Sequence, residues 1–180
     1  MMKKILIIFL IMFSFFNKGN SAYEKLAYEF KFNGIEGNLI NLKDYENKVI
    51  VVVNVASRCG FTNQYEDLQN IWEKYKSEGL IVLGVPSNSF NQEKKLNNEV
   101  KEFCEVNFNI NFPMTEITNV KGDDAHEIYK WAKDNHGKSA VPKWNFYKIL
   151  INKNGIIEET YSSLTKPMSN KILKKIEEIL

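Results

Sequence analysis

The sequence predicts an α/β fold in which helices flank a central mixed β-sheet. Residues 49–55 are a nearly continuous run of β-branched residues and residues 80–85 are a second apolar run, as in strands covered on both faces. Between them, apolar side chains recur at helical spacing over residues 65–75. Gly79 follows, and a glycine there can adopt the left-handed backbone conformation that ends an α-helix. Strand, helix and strand in this order predict a right-handed crossover that joins two parallel strands.

Shorter patterns predict the remaining strands. Residues 28–42 alternate in polarity around glycines, which predicts a β-hairpin at the start of the domain. A short strand is predicted at residues 112–117. A second hairpin is predicted to pair residues 146–151 with residues 156–161, because an Asn-Gly turn lies between them.

Further helices are predicted from apolar stripes and from side chains that can cap a helix N-terminus. The stripes lie at residues 96–104, 128–132 and 172–179. The predicted caps are Asn97 or Asn98, Asp123 or Asp124, and Ser169. Together, these elements predict a four-to-five-stranded mixed sheet flanked by helices, a thioredoxin-like arrangement with an N-terminal β-hairpin.

The first residues of the chain have the pattern of a secretory signal. Lys3 and Lys4 precede an apolar run over residues 5–13 that is too short to span a bilayer comfortably, and a polar segment then leads to Ala22. We expect cleavage after Ala22, so that residues 1–22 are a signal peptide and residues 23–180 form a single domain. The protein is then exported, either periplasmic or secreted. An uncleaved membrane anchor is the alternative.

The composition fits one domain with a hydrophobic core. The chain has 180 residues, of which 44% are hydrophobic, and a net charge of +2. Loss of residues 1–22 removes three lysines and no acid, which changes the net charge from +2 to −1. Because the sequence shows no lysine or arginine cluster outside this segment, we expect no binding to nucleic acid or to an anionic membrane surface.

Cys59 is the candidate nucleophile. It follows the first central strand and lies just ahead of a predicted helix, whose free backbone N–H groups and positive dipole end favour a thiolate over a thiol. The residue three positions later is Thr62 rather than a second cysteine, which excludes disulfide exchange by a local cysteine pair. A single nucleophilic sulfur suits peroxide reduction, in which the thiolate takes one peroxide oxygen and becomes a sulfenic acid.

Separate blocks of this sequence resemble the glutathione peroxidase family in its cysteine form. NVASRCGFTNQY at residues 54–65 resembles the family's peroxidatic loop, and VPSNSFNQE at residues 85–93 resembles its glutamine loop. WNFYKILINKNG at residues 144–155 resembles its tryptophan-asparagine block, and NFPMTEITNVKG at residues 111–122 is similar to a further family stretch. The likeness covers the chain from Tyr23 onward. It implies a thioredoxin-like fold and thiol peroxidase activity.

The resemblance implies a catalytic tetrad of Cys59, Gln92, Trp144 and Asn145. The two side-chain amides and the indole N–H would stabilise the thiolate, orient the peroxide and favour the departing oxygen. Arg58 directly precedes the nucleophile. It either assists the thiolate by its charge or is a solvated loop residue.

Cys104 and the reductant follow from the same resemblance. In thioredoxin-linked members a second cysteine lies on the helix before a Phe-Pro motif, and Cys104 occupies that helix. It is either the cysteine that resolves the sulfenic acid or an apolar packing residue. The resemblance implies hydrogen peroxide and organic or lipid hydroperoxides as substrates, re-reduction by a thioredoxin-like protein or by glutathione, and no metal or other cofactor. The short interval between Asn135 and Trp144 implies a monomer with an open active-site surface, since tetrameric members have a long insertion there.

Two other functions remain open from the sequence. One is an exported thiol-disulfide or copper-handling protein of thioredoxin fold, which for copper would need nearby cysteines and a histidine ligand. The histidines His126 and His136 are instead expected to be solvated. The other is a non-catalytic binding protein with a structural disulfide between Cys59 and Cys104.

Overall fold

The computed structural model describes residues 23–180, so the predicted signal segment lies outside the described part. The strands are β1 (Lys31–Asn33), β2 (Leu39–Asn41), β3 (Val49–Val55), β4 (Leu80–Pro86), β5 (Lys148–Ile151) and β6 (Ile157–Tyr161). β1 and β2 form the predicted antiparallel hairpin, and the main sheet has the order β4-β3-β5-β6. β3 pairs in parallel with β4 and antiparallel with β5. The predicted mixed sheet and parallel crossover are therefore confirmed.

Helices cover both faces of the main sheet. They are α1 (Gln64–Tyr75), α2 (Asn97–Phe108), α3 (Glu127–His136) and α4 (Asn170–Ile179). The hairpin and α3 pack against one face, whereas α1, α2 and α4 pack against the other. Gly79 ends the α1 region with a φ of 105°, as predicted. Within residues 23–180, no helix is long and apolar enough to cross a bilayer.

The strand predicted at residues 112–117 does not form. Within residues 23–180, the only β-bridges of this segment are isolated ones, from Met114 to Gly84 and from Thr115 to Gly34. Pro113 lacks a backbone N–H, which prevents a regular ladder across the segment. A Cβ at Gly84 would lie 2.3 Å from the sulfur of Met114, so the close approach of β4 to the segment around Met114 requires glycine at position 84.

The predicted cap of α2 is wrong, and that of α4 is correct in position only. The N-cap residue of α2 is Leu96, not Asn97 or Asn98. The Asn97 side chain instead accepts the backbone N–H of Ile117 at 2.9 Å and so binds the segment at residues 112–117. Ser169 is the N-cap residue of α4, but its side chain makes no capping hydrogen bond.

The N-cap of α3 is His126 rather than Asp123 or Asp124. Its Nδ1 atom accepts the backbone N–H of Ile128 at 3.3 Å, and its ring stacks on Phe32 with the ring centres 3.9 Å apart. Burial lowers the pKa of His126, which keeps the imidazole neutral and able to accept this hydrogen bond. This histidine is half-buried and bonded to the backbone, so the expectation that it is solvated holds only in part.

A buried lysine connects β5 to the start of α1. Lys148 is 1% exposed, and its Nζ atom donates to Oε1 of Gln64 and to the carbonyl of Thr165, both at 2.6 Å. The Gln64 amide in turn donates to the carbonyl of Ser163 at 2.7 Å. Burial lowers the pKa of Lys148 to about 7, against a weaker opposing effect of the charge on Asp67. Lys148 therefore titrates near neutrality in the folded protein.

We expect this lysine to make the protein more stable as the pH rises from 7 to 10. The unfolded chain keeps the lysine proton over this range while the folded protein releases it, so the burial penalty is complete below pH 7 and is relieved above it. In Lys148→Met, the free energy of unfolding should rise less steeply with pH than in the wild type. The two slopes should differ by up to about 1.4 kcal/mol per pH unit. Urea unfolding at several pH values measures this slope. Lys43→Met, at an exposed ion pair with Glu46, is the control. Parallel curves for the wild type and Lys148→Met would contradict the prediction.

Candidate active site

Cys59 lies in the turn between β3 and α1, as the sequence predicts. Its side chain is 7% exposed, and its sulfur accepts the backbone N–H of Phe61 at 3.5 Å. Thr62 holds the turn, because its backbone N–H and its hydroxyl donate to the Cys59 carbonyl at 3.0 and 2.5 Å. The sulfur therefore faces one backbone donor, in the turn that precedes α1. Arg58 is exposed.

Gln92 and Asn145 meet beside the Cys59 turn. The Asn145 amide donates to Oε1 of Gln92 at 2.9 Å, and the Gln92 carbonyl accepts the backbone N–H of Arg58 at 2.9 Å. Asn145 is fully buried, and within residues 23–180 its Oδ1 atom has no hydrogen-bond partner. The structure therefore brings two residues of the expected tetrad together, and links them to the residue before the nucleophile.

Trp144 lies at the surface of the same region. Its side chain is 40% exposed, and its ring packs against Phe90 with the ring centres 5.4 Å apart. Within the described residues, the indole N–H makes no hydrogen bond and is free to bind a ligand. The Trp144 side chain is therefore a surface group beside Asn145 and not part of the hydrophobic core.

Asn54 shapes the turn that carries Trp144 and Asn145, and sequence reasoning missed it. Its side chain donates to the Trp144 carbonyl at 3.1 Å and accepts the backbone N–H of Tyr147 at 3.1 Å. Its carbonyl accepts the backbone N–H of Phe146, whose φ of 62° is in the left-handed region. The available signal was a buried asparagine within an otherwise apolar strand.

Glu93 ties the glutamine loop to the Cys59 turn and was also missed. Its side chain is 4% exposed, and Oε1 accepts the backbone N–H groups of Ser57 at 3.0 Å and of Lys94 at 2.8 Å. Its own N–H donates to the Asn88 side chain at 3.2 Å. Burial raises the pKa of Glu93, although the Ser57 and Lys94 donors partly oppose this. This carboxyl fixes the positions of Gln92 and Cys59 relative to one another.

Cys104 lies on the inward face of α2, as predicted, and is 2% exposed. It belongs to the same apolar cluster as Cys59, on one side of the main sheet, and both cysteines are free. Burial raises the pKa of the Cys104 thiol to about 12, so the thiol stays protonated while α2 is folded. The fully buried Tyr65 hydroxyl lies beside it.

Among residues 23–180, no group of three or more His, Cys, Asp or Glu side chains is placed to hold a metal ion. The described site instead consists of one sulfur, two amides, an indole and a buried carboxyl. Those groups suit the stabilisation of a thiolate and of a developing oxyanion.

Comparison with known proteins identifies the family. A sequence model described as glutathione peroxidase matches residues 27–133, more than half of the chain. The chain belongs to the glutathione peroxidase family. A glutathione peroxidase of Lactococcus lactis is 40% identical over 144 residues, which cover 78% of this chain and 91% of that protein. A hydroperoxy fatty acid reductase of Synechocystis is 36% identical over 162 residues, with coverages of 85% and 95%.

Solved structures agree with the assignment to the glutathione peroxidase family. The crystal structure of Trgpx in apo form is 36% identical, with a TM-score of 0.68 and coverages of 87% of this chain and 95% of that chain. A thioredoxin family thiol:disulfide interchange protein from Chlorobium tepidum, at 14% identity and a TM-score of 0.62, covers 82% of this chain and 92% of its own and shares the fold alone. The thioredoxin-like fold is confirmed. As a glutathione peroxidase family member, the protein is a thiol peroxidase, an oxidoreductase that reduces hydroperoxides.

Proposed function

We propose that Cys59 is the peroxidatic nucleophile and that Gln92, Trp144 and Asn145 form its polar shell. The observation that carries this proposal is the Asn145–Gln92 hydrogen bond, which is linked through the Gln92 carbonyl to the residue before Cys59. The Cys59 thiolate attacks one peroxide oxygen, the O–O bond breaks, and an S–O bond forms. The other oxygen leaves with a proton as water or alcohol, and the amide and indole donors stabilise the charge that develops on it.

Cys104 is the proposed resolving cysteine. Its thiol would attack the Cys59 sulfenic acid, forming a disulfide and releasing water. Cys104 is buried on α2 and its thiol has a high pKa, so this step requires local opening of the helix to expose the thiol. A thioredoxin-like dithiol would then reduce the disulfide. Glutathione is the alternative reductant, and no other cofactor is needed.

The proposed substrates are hydrogen peroxide and organic hydroperoxides, including those of lipids. The exposed indole of Trp144 leaves the site open to bulky molecules, and the similar Synechocystis protein is named a hydroperoxy fatty acid reductase. We further propose that the protein is a monomer whose residues 23–180 form one domain. Its export would follow from a signal at residues 1–22.

A thiol count tests this function. The reduced protein is mixed with one equivalent of hydrogen peroxide, and the loss of free thiols is followed with mass analysis of the product. Rapid loss of both thiols with a Cys59–Cys104 disulfide is expected. A product that carries one sulfenic acid on Cys59 would keep the nucleophile but exclude the resolving role of Cys104. Two unreactive thiols would overturn the proposed roles of both cysteines.

A further inference from the structure

Three buried polar side chains near the two cysteines take no part in the proposed chemistry. They are Ser57, Tyr65 and Glu93, each less than a tenth exposed. Among residues 23–180, six buried side-chain nitrogen or oxygen atoms have no hydrogen-bond partner, and three of the six are the Ser57 hydroxyl, the Tyr65 hydroxyl and Oε2 of Glu93. Such atoms are costly to bury, so their concentration beside reactive sulfurs indicates a chemical role.

The Glu93 carboxyl is anchored to the turn that carries Cys59. Its Oε1 atom accepts the backbone N–H of Ser57, two residues before Cys59, and that of Lys94. Because Oε1 takes both donors, Oε2 is left to accept a proton. Glu93 lies in the loop between β4 and α2 and not on α2 itself. We therefore expect this carboxyl to stay beside the Cys59 turn when α2 opens.

Cys104 lies close enough to this carboxyl to respond to its charge. Burial has the largest effect on the pKa of the Cys104 thiol, which it raises, and the neighbouring Tyr65 hydroxyl has the opposite effect. The charge on Glu93 raises this pKa further, and the charge on the exposed Glu105 does so more weakly. Because such interactions weaken with distance, the thiol and the carboxyl share one neighbourhood.

The charge states of these groups suit the transfer of a proton to Glu93. Burial raises the pKa of Glu93 and so makes its carboxylate a stronger base, although the donors of Ser57 and Lys94 and the charge on Lys94 oppose this. Tyr65 and Cys104 keep their protons at neutral pH, since burial raises the pKa of each. The neighbourhood therefore contains one basic carboxylate and a thiol that must lose its proton to react.

We propose that Glu93 carries a proton between the two sulfurs when Cys104 resolves the Cys59 sulfenic acid. As α2 opens, the Cys104 thiol gives its proton to Oε2 of Glu93 and becomes a thiolate. The thiolate attacks the Cys59 sulfur, so that an S–S bond forms and the S–O bond breaks. The departing hydroxide takes the proton from Glu93 and leaves as water, which regenerates the carboxylate. This inference rests on the proposed function, because it requires both cysteines in their proposed roles.

The rate of disulfide formation in Glu93→Gln tests the inference. The amide oxygen of this variant can still accept the Ser57 N–H, but the side chain cannot take up a proton. Reduced protein is mixed with one equivalent of hydrogen peroxide between pH 4 and 9, quenched in acid and analysed by mass for the disulfide. The first-order step that follows sulfenic acid formation should be about 100-fold slower at pH 7 in Glu93→Gln than in the wild type.

The pH profile of this step separates proton transfer from a structural role. In the wild type, the rate should fall as the pH falls through the raised pKa of Glu93 and should be level above it. In Glu93→Gln, the thiol must lose its proton to solvent, so the rate should rise about tenfold per pH unit. Glu93→Asp keeps a carboxyl and should restore the level region. A wild-type rate that does not fall at low pH would overturn the inference, even if Glu93→Gln does not fold.

Glu105→Gln is the matched control. Its charge also acts on the Cys104 thiol, but Glu105 is exposed on the helix that opens and pairs with Lys101. This variant should keep the level wild-type profile. Similar changes in Glu93→Gln and Glu105→Gln would mean that both carboxylates act only through their charge, and would overturn the inference, as would a wild-type profile in Glu93→Gln. Failure of the proposed function differs from these results, because the wild type itself would then form no Cys59–Cys104 disulfide and both proposals would fall.

Discussion

Replacement of Cys59 by serine is expected to abolish peroxide turnover, with a loss of at least about 1,000-fold in kcat/KM. A serine hydroxyl stays protonated at neutral pH and is a far weaker nucleophile than a thiolate, although its oxygen can still accept the Phe61 N–H that the sulfur accepts. Consumption of hydrogen peroxide, followed directly rather than through a coupled reductant, measures the effect.

The control for this variant is its fold. Cys59 is nearly buried in a turn held by Thr62, so Cys59→Ser should keep the wild-type circular dichroism spectrum and unfolding midpoint. Residual turnover near the wild-type rate in a folded Cys59→Ser protein would show that another group attacks the peroxide. Cys104 would then be the remaining sulfur nucleophile to examine.

Replacement of Cys104 by serine is expected to reduce thioredoxin-driven cycling by about 100-fold or more while sparing the first oxidation of Cys59. The reason is chemical: without a second thiol, the Cys59 sulfenic acid cannot be converted into an intramolecular disulfide. Stopped-flow oxidation with one equivalent of peroxide should keep its wild-type rate. Steady-state turnover with thioredoxin and its reductase should fall.

Packing must be separated from chemistry at this position. The serine hydroxyl lies where it can pair with the buried Tyr65 hydroxyl, whereas Cys104→Ala leaves that hydroxyl alone and makes a small cavity. The two variants should therefore differ in stability but share the same loss of cycling. If thioredoxin-driven turnover is unchanged in both, Cys104 is an apolar packing residue.

The sequence predicts the centre of this fold well because its strands are buried on both faces. Residues 49–55 match β3 at both ends, and the parallel strand after Gly79 differs from the prediction by a single residue. Strands covered on both faces are apolar along almost their whole length, so they can be recognised in the sequence whatever packs against them. The helix caps do not share this property. Asn97 bonds to a neighbouring segment instead of capping its own helix, and His126 caps α3 while its other ring nitrogen lies 2.9 Å from the Lys31 carbonyl, so tertiary contacts help to decide which side chain becomes the cap.

The residues proposed to contact the peroxide could be predicted from the sequence, whereas the residues that hold them in position could not. Gln92 and Asn145 could be placed by resemblance, and the structure brings them into contact at 2.9 Å. Asn54 and Glu93 position those groups through backbone hydrogen bonds, and no short motif marks such a role.

The Asn54 hydrogen bonds link formation of the candidate active site to the folding of the main sheet. Asn54 and Trp144 are 90 positions apart, and their contact requires β5 to pair with β3. Contacts between such distant positions form slowly, because a long loop must close before they are gained. We therefore expect a refolding chain to form its Cys59 turn before its amide shell, because the turn depends on contacts over about 35 positions and the shell on contacts over 90. Recovery of peroxidase activity during refolding then reports completion of the sheet rather than formation of α1.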